Sequence, residues 1–232
     1  MPLVLGIIPA RGGSKGIPKK NIALLVGRLL IEYTFDAAKG SKLIDRLILT
    51  TDDEEIAEVG RKNGIEIPFI RPKELAADDT PTLPVIKHAV DFMENEFKYM
   101  PDMIVILQPT APLRKARHID EALNLLINSD ADSIVSVVEV PHQYNPYFIM
   151  EITDGKLSFY RKEGLNFTRR QDLPKTYSRN GAVYAFRLKT LKEKNSIYGD
   201  KCLPYIMDFS ESINIDSLDD LRIAELFIKK AP

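Results

Sequence analysis

Short, uniformly apolar runs alternate with amphipathic stretches along most of this chain, and that alternation constrains the fold more than any other feature. Leu3 to Pro9 (LVLGIIP) is apolar throughout, the pattern of a strand buried on both faces in a parallel sheet covered by helices. A helix over 30–39 follows, then a strand at Leu47–Thr51. Asp52 or Asp53 is placed to cap a helix over 54–63, which stops at Asn63-Gly64. Glu66–Ile70 reads as a third strand, Thr82–Phe97 as a long amphipathic helix, and Met103–Leu107 as the strongest strand signal. A helix at 115–128 and a strand at Ser133–Val138 extend the rhythm. It resumes at Gly181–Phe186 and Pro204–Met207 and closes with a helix from Ser217 to Lys229. Strands alternating with helices imply an α/β fold with a mainly parallel sheet and right-handed crossovers.

Residues 141–178 break the rhythm. They hold Asp154-Gly155, a hairpin turn signal. They also keep Phe148, Ile149, Ile152, Leu157, Phe159 and Phe167, and apolar residues on a thin excursion need a partner surface. A second copy of the chain is the economical partner. The expected organisation is one α/β domain built from 1–140 and 179–232, with 141–178 as an inserted dimerisation arm. Lys and Arg number 32 against 33 Asp and Glu, so the net charge of -1 gives no global pull toward nucleic acid or an anionic membrane. Any anion site must be local. The absence of Trp also weighs against a basic, aromatic nucleic-acid surface. The one cysteine, Cys202, excludes an internal disulfide framework and fits a reducing cytoplasm; it reads as a small, partly buried side chain. No run approaches the ~20 apolar residues of a membrane span, and the leading run lacks the basic flank of a signal peptide. A soluble, cytoplasmic protein is expected.

The first apolar run breaks at Ala10-Arg-Gly-Gly-Ser-Lys-Gly-Ile-Pro-Lys-Lys-Asn21. Gly12, Gly13 and Gly16 let the backbone come close to a ligand, and successive N–H groups in such a turn, with Ser14 among them, form an anion nest. Arg11, Lys15, Lys19 and Lys20 add four cations. An arginine fork and compact lysine charges, placed directly after a buried parallel strand, suit a triphosphate. The competing reading is a solvated basic turn. Neither the P-loop spacing nor the dinucleotide fingerprint occurs here, which disfavours a kinase, an ATPase or a dehydrogenase.

This loop closely resembles the opening motif of the CMP-sialic acid synthetases, the acylneuraminate cytidylyltransferases. The resemblance continues in family order through Thr50-Thr51-Asp52-Asp53, Arg71-Pro72-x-Glu74-Leu75-Ala76 and Leu107-Gln-Pro-Thr-Ala-Pro-Leu-Arg114. It reaches Arg170-Gln171-Asp172, Asn180-Gly181-Ala182-Val183-Tyr184 and Asn214-Ile-Asp216. It implies a three-layer Rossmann-like nucleotidyltransferase fold and transfer of a cytidylyl group from CTP to a nonulosonic (sialic-acid-type) sugar acid. By resemblance, Arg11 and Lys20 hold CTP phosphates, Asn21 lies near the cytidine, and Arg71 lies beside the base. The other reading of Arg71 is a helix-entry arginine paired with Glu74. Gln108 matches a residue that contacts the sugar acid, and a neutral amide suits a polyhydroxylated acid; capping the strand end is its other reading. Arg114 is expected to fix the loop after the prolines. Arg170 matches a basic residue that the arm passes into a neighbour's site in a homodimer, or else belongs to a solvated basic pair. Asn180 and Tyr184 match pocket residues, although Tyr184 also reads as a core aromatic of its strand.

The resemblance further implies Mg²⁺, which such transfers use through one or two carboxylates plus phosphate oxygens. The family commonly presents Asp-x-Asp near its C-terminus, whereas this chain reads Asn214-Ile215-Asp216. Asp216 is kept as metal ligand and Asn214 as a weak or outer one. Ser217 with Asp220 provides a separate N-cap for the last helix. No general base stands out: His88, His118 and His142 are scattered, and Asp52 and Glu211 have nothing particular behind them. Alternatives are another acid sugar (a legionaminic-type acid or Kdo) and a catalytically weakened nucleotide-binding homologue.

Overall fold

The computed structural model describes residues 2–14 and 16–230. In chain order the strands are β1 (Val4–Pro9), β2 (Leu24–Leu25), β3 (Arg28–Leu29), β4 (Arg46–Thr50), β5 (Met103–Ile106) and β6 (Ser133–Glu139), then β7 (Met150–Thr153), β8 (Lys156–Phe159), β9 (Tyr177–Arg187) and β10 (Cys202–Ile206). The α-helices are α1 (Leu30–Lys39), α2 (Glu54–Lys62), α3 (Thr82–Phe97), α4 (Ala116–Ile127), α5 (Leu188–Lys194) and α6 (Leu218–Lys230). The main sheet has the order β10-β6-β9-β5-β1-β4. All neighbours are parallel except β9, which runs antiparallel to both β5 and β6. The mainly parallel sheet expected from the alternation is present.

Side-chain alternation along buried strands makes the three layers. Val4 and Ile8 of β1 point to one face, where Ile31 and Phe35 of α1, Ile56 of α2 and Ile119 and Leu123 of α4 cover them. Leu5 and Ile7 point to the other, against Ile86, Val90 and Met93 of α3 and Leu191 of α5. A third cluster joins Ile17, Leu25 and Leu30 to Ile213, Ile215 and Ala224 of α6. That cluster pins the glycine-rich loop against the 213–216 segment. Caps follow the sequence: Asp53 Oδ1 accepts from Ile56 N at 3.1 Å and starts α2, and Gly64 takes φ 69° at its end. Ser217 and Asp220 cap α6 reciprocally.

Two expectations are corrected, on residues 66–70 and on Cys202, and one small element was not expected. Residues 66–70 make only isolated parallel bridges to the β4 edge, Ile48 with Glu66 and Thr51 with Ile70, rather than a strand; Pro68 interrupts any ladder there. Residues 24–29 form a small antiparallel hairpin through Val26-Gly27, both at positive φ. Cys202 is exposed, because β10 is an edge strand.

The arm contains the hairpin signalled by Asp154-Gly155, with φ 52° and 73° at the turn. It has a small core of its own: Tyr147 and Phe167 pack at 4.9 Å, and Gly164 lies against Phe159. Ile149, Ile152, Leu157 and Leu165 remain exposed. Among the described residues no helix is long and apolar enough to cross a membrane.

Candidate active site

The C-terminal ends of β1 and β5 open onto a cavity of about 350 Å³, the size of a small-ligand site. Arg11, Gly13, Ser14, Lys20 and Asn21 line it from the glycine-rich loop. Gln108 and Thr110 line it beyond β5, Arg71, Ala77, Asp78 and Thr80 line it from the segment before α3, and Asn214 and Asp216 line it from the segment before α6.

The loop is tied at several points. Ala10, fully buried, donates its N–H to Thr50 O at 3.0 Å. Gly12 N donates to Asp52 Oδ1 at 3.1 Å, and Asn21 Nδ2 donates to Arg11 O at 2.9 Å. Gly16 passes so near Asp216 O that a Cβ there would stand 2.5 Å from it. Of the four loop cations, Arg11 and Lys20 face the cavity. Lys19 turns away to pair with Glu55 of α2, and Lys15 lies outside the described residues.

Each cavity cation is held. Arg11 Nη1 donates to Ala77 O at 3.0 Å and pairs with Asp78 at 3.1 Å. Lys20 Nζ donates at 2.9 Å both to Ile215 O and to Asp216 Oδ1. Asp216 Oδ2 accepts from Asn214 Nδ2 at 2.9 Å. An amide that faces a carboxylate must present its NH₂, so Asn214 turns Oδ1 inward, where it is buried without a hydrogen-bond partner. Asp216 itself is exposed, its side chain 72% accessible.

Arg71 is buried and donates to Thr50 Oγ1 at 3.1 Å and to Thr50 O. It makes no ion pair with Glu74; its partner is the end of β4. Burial pulls its guanidinium down to about 10, with Asp52 opposing and Arg11 adding to the depression, so it stays positive at neutral pH. Gln108 reaches over Gly181, whose φ is 73° and where a Cβ would meet Gln108 Oε1 at 2.7 Å.

The remaining predicted site residues are elsewhere. Asn180 is buried with its amide fully engaged, by Ser136 Oγ at 2.6 Å, Ser212 Oγ at 2.9 Å and Ala182 N at 3.2 Å. It does not line the cavity. Tyr184 packs in the core beside Val135 and Phe186, and burial raises its phenol. Arg170 sits on an exposed turn of the arm and does not reach the cavity of its own chain. Glu211 lies outside the cavity, engaged by Lys115, Arg117 and His118. The 77–82 contribution carries no sequence motif: it comes from the Ala77 carbonyl, the Asp78 carboxylate and threonine side chains. Among the described residues, no group of three or more His, Cys, Asp or Glu side chains is arranged to hold a metal.

Comparison with known proteins identifies the family. Residues 5–221 match the family described as Cytidylyltransferase. The chain is 38% identical, over 98% of its own length and 96% of the relative's, to CMP-N,N'-diacetyllegionaminic acid synthase of Campylobacter jejuni subsp. jejuni. It is 31% identical to pseudaminic acid cytidylyltransferase of the same species, over 97% of this chain and 96% of that one. A solved structure of CMP:2-keto-3-deoxy-manno-octonic acid synthetase complexed with CTP has the same fold at TM-score 0.69 and 15% identity, covering 98% of this chain and 99% of that one. With a family match spanning nearly the whole sequence and relatives above 30% identity from end to end, the chain belongs to the cytidylyltransferase family.

Proposed function

We propose that this enzyme transfers the cytidylyl group of CTP to a nonulosonic sugar acid, releasing pyrophosphate and leaving a CMP-activated sugar. The observation that carries the reading is one cavity gathering three cations, Arg11, Lys20 and Arg71, with a carboxylate, Asp216, and an amide, Gln108. It does so in a chain whose relatives are named for legionaminic and pseudaminic acids.

In this reaction a hydroxyl of the acid attacks the α-phosphorus in line, the new P–O bond forms as the hydroxyl proton passes to solvent, and the bond to pyrophosphate breaks. Alignment and charge neutralisation are the main demands. Arg11 and Lys20 exchange Asp78 and Asp216 for phosphate oxygens and hold the departing pyrophosphate. Backbone N–H groups of Gly13 and Ser14 support the phosphates, and Asn21 and Arg71 fix the nucleoside end. Gln108 and the Gly181 turn orient the acid. The donors suit Mg²⁺, which takes few protein ligands and fills its shell with phosphate and water oxygens. Asp216 is exposed to the cavity, with an amide rather than a second carboxylate beside it. Asp216 would hold the ion with Asn214 adjacent; when bound, it supplies charge neutralisation at the phosphates. Two copies would pair through their arms and bring Arg170 to the neighbour's acid site.

The test is pyrophosphate release with Mg²⁺, each nucleoside triphosphate being tried against legionaminic-, pseudaminic- and neuraminic-type acids and Kdo. Release with CTP and one nonulosonic acid is expected, the legionaminic type coming first in the panel. Release with Kdo alone, or silence while CTP still binds, overturns the proposed acceptor.

A further inference from the structure

Arg114 is the most deeply buried charge near the cavity, 3% exposed, and among the described residues it forms no ion pair. Desolvation lowers its guanidinium to about 9, which still leaves it charged at neutral pH. A buried cation without a carboxylate is costly. What faces it instead is backbone: Nη1 donates to Gln108 O at 3.0 Å and to Ala182 O at 2.9 Å, and Nη2 donates to the Thr34 hydroxyl of α1.

Those two carbonyls have a particular relation. The antiparallel β5–β9 register pairs Met103 with Arg187 and ends at Ile106 with Tyr184. Continued, it sets Gln108 opposite Ala182. The ladder does not continue: Ala182 N turns to Asn180 Oδ1 at 3.2 Å instead of to Gln108 O. At this unpaired step Arg114 joins the two strands from behind, through one nitrogen. Gln108 lines the cavity at this step, and Gly181 lies against its side chain, where a Cβ would stand 2.7 Å from Gln108 Oε1.

We propose that Arg114 is a positioning residue for the sugar-acid half of the reaction, holding the ends of β5 and β9 at the separation that seats Gln108 on Gly181 and presents its amide to the acceptor. This rests on the proposed transfer to a nonulosonic acid. Arg114 touches neither substrate; it acts through the two carbonyls. Lysine keeps the charge but cannot bridge both carbonyls and Thr34 with a planar fork. The nucleotide half, built on β1 and β4, shares none of these bonds.

The experiment compares the full-length protein with Arg114→Lys and Arg114→Met. CTP affinity is read by calorimetry, KM for the accepted acid by pyrophosphate release, and backbone exchange by hydrogen–deuterium mass spectrometry. The acid KM is expected to rise about tenfold in Arg114→Lys, the loss of one hydrogen bond to a charged group. CTP affinity stays within about twofold, and exchange quickens at 107–111 and 181–183 but not in the 10–22 loop. A variant with a lower melting temperature but both constants unchanged, or one in which CTP and acid weaken together, overturns the proposal. If Arg114→Met does not fold, Arg114→Lys decides. If wild-type protein turns over no acid, the proposed reaction fails on its own. Exchange then judges Arg114, and unchanged rates at 107–111 and 181–183 refute its role.

Discussion

At the scale of single residues, two glycines of the glycine-rich loop differ in what they tolerate. A Cβ at Gly16 would collide with Asp216 O, which is backbone and cannot rotate away, whereas a Cβ at Gly13 meets nothing within 4 Å. Gly16→Ala is therefore expected to lower the melting temperature, by displacing either the loop or the 213–216 segment, at a cost of about 1–3 kcal/mol. Gly13→Ala should leave the melting temperature unchanged, and differential scanning calorimetry of the pair checks the contrast. Asp216 presents the opposite case. Its side chain is exposed and its contacts are polar, to Lys20 and Asn214. Asp216→Ala is expected to cut turnover by about a hundredfold or more, as removal of a charge-stabilising group does, while the protein melts normally. A variant with near-normal rate removes Asp216 from the mechanism.

At the scale of elements, the start of α4 is anchored by one carboxylate. Glu211 accepts from Lys115 at 2.8 Å, from Arg117, and meets His118 Nε2 at 3.1 Å, while His118 Nδ1 accepts from Lys115 N at 3.0 Å. Burial opposes ionisation of Glu211, but the hydrogen bonds from Lys115 and Arg117 outweigh it and hold the carboxyl at about 2, below its ordinary 4.5. The stabilisation is thus complete above pH 4.5 and is lost as pH falls toward 2. His118 works in the same direction. Burial, reinforced by Arg117, lowers its pKa, so the folded state favours the neutral ring and loses stability as pH drops below 6.5. Glu211→Gln should cost about 1–2 kcal/mol at pH 6 and flatten the acid limb of stability between pH 4.5 and 2. Urea unfolding at pH 6, 4 and 3 tests both. Turnover per folded molecule should not change, because Glu211 lies outside the cavity.

At the scale of the whole molecule, the apolar side chains of the arm are left uncovered by the described residues of one chain: Ile152 is 75% exposed, Leu165 72% and Leu157 62%. Under the proposed dimer, light scattering at micromolar concentration should give twice the chain mass. Ile152→Asp with Leu157→Asp should give a monomer whose α/β core melts as before, with turnover lost along with Arg170's reach into the neighbour. A wild-type monomer would overturn that account of the arm.

Much of this molecule was legible in its sequence because the information is local. Two-faced apolar runs fix the strands, Asp53 and Ser217 fix helix starts, and Asp154-Gly155 fixes a hairpin, each by interactions a few residues apart. The glycine-rich loop announces an anion site for the same reason: successive N–H groups and cations are contiguous in the chain. Other features depend on distant segments meeting. Lys20 lies beside Asp216 only because Ile17 packs with Ile215 under α6. Ala77 and Asp78 enter the cavity by holding Arg11, and their residue types carry no motif. Asn180 matches a pocket residue in sequence, yet Ser136 and Ser212, from two other segments, engage its amide. Arg114 looks like a loop fastener until the β5–β9 register shows which carbonyls it joins. The sequence by itself determined the layers and the glycine-rich, cation-bearing loop, since these follow from periodicity and contiguous residue types, and the motifs it carries in order supplied the family resemblance. The tertiary structure alone decided which side chains share the cavity and which are consumed in holding it, because hydrogen-bond and packing partners far apart in the chain are chosen only when the sheet assembles.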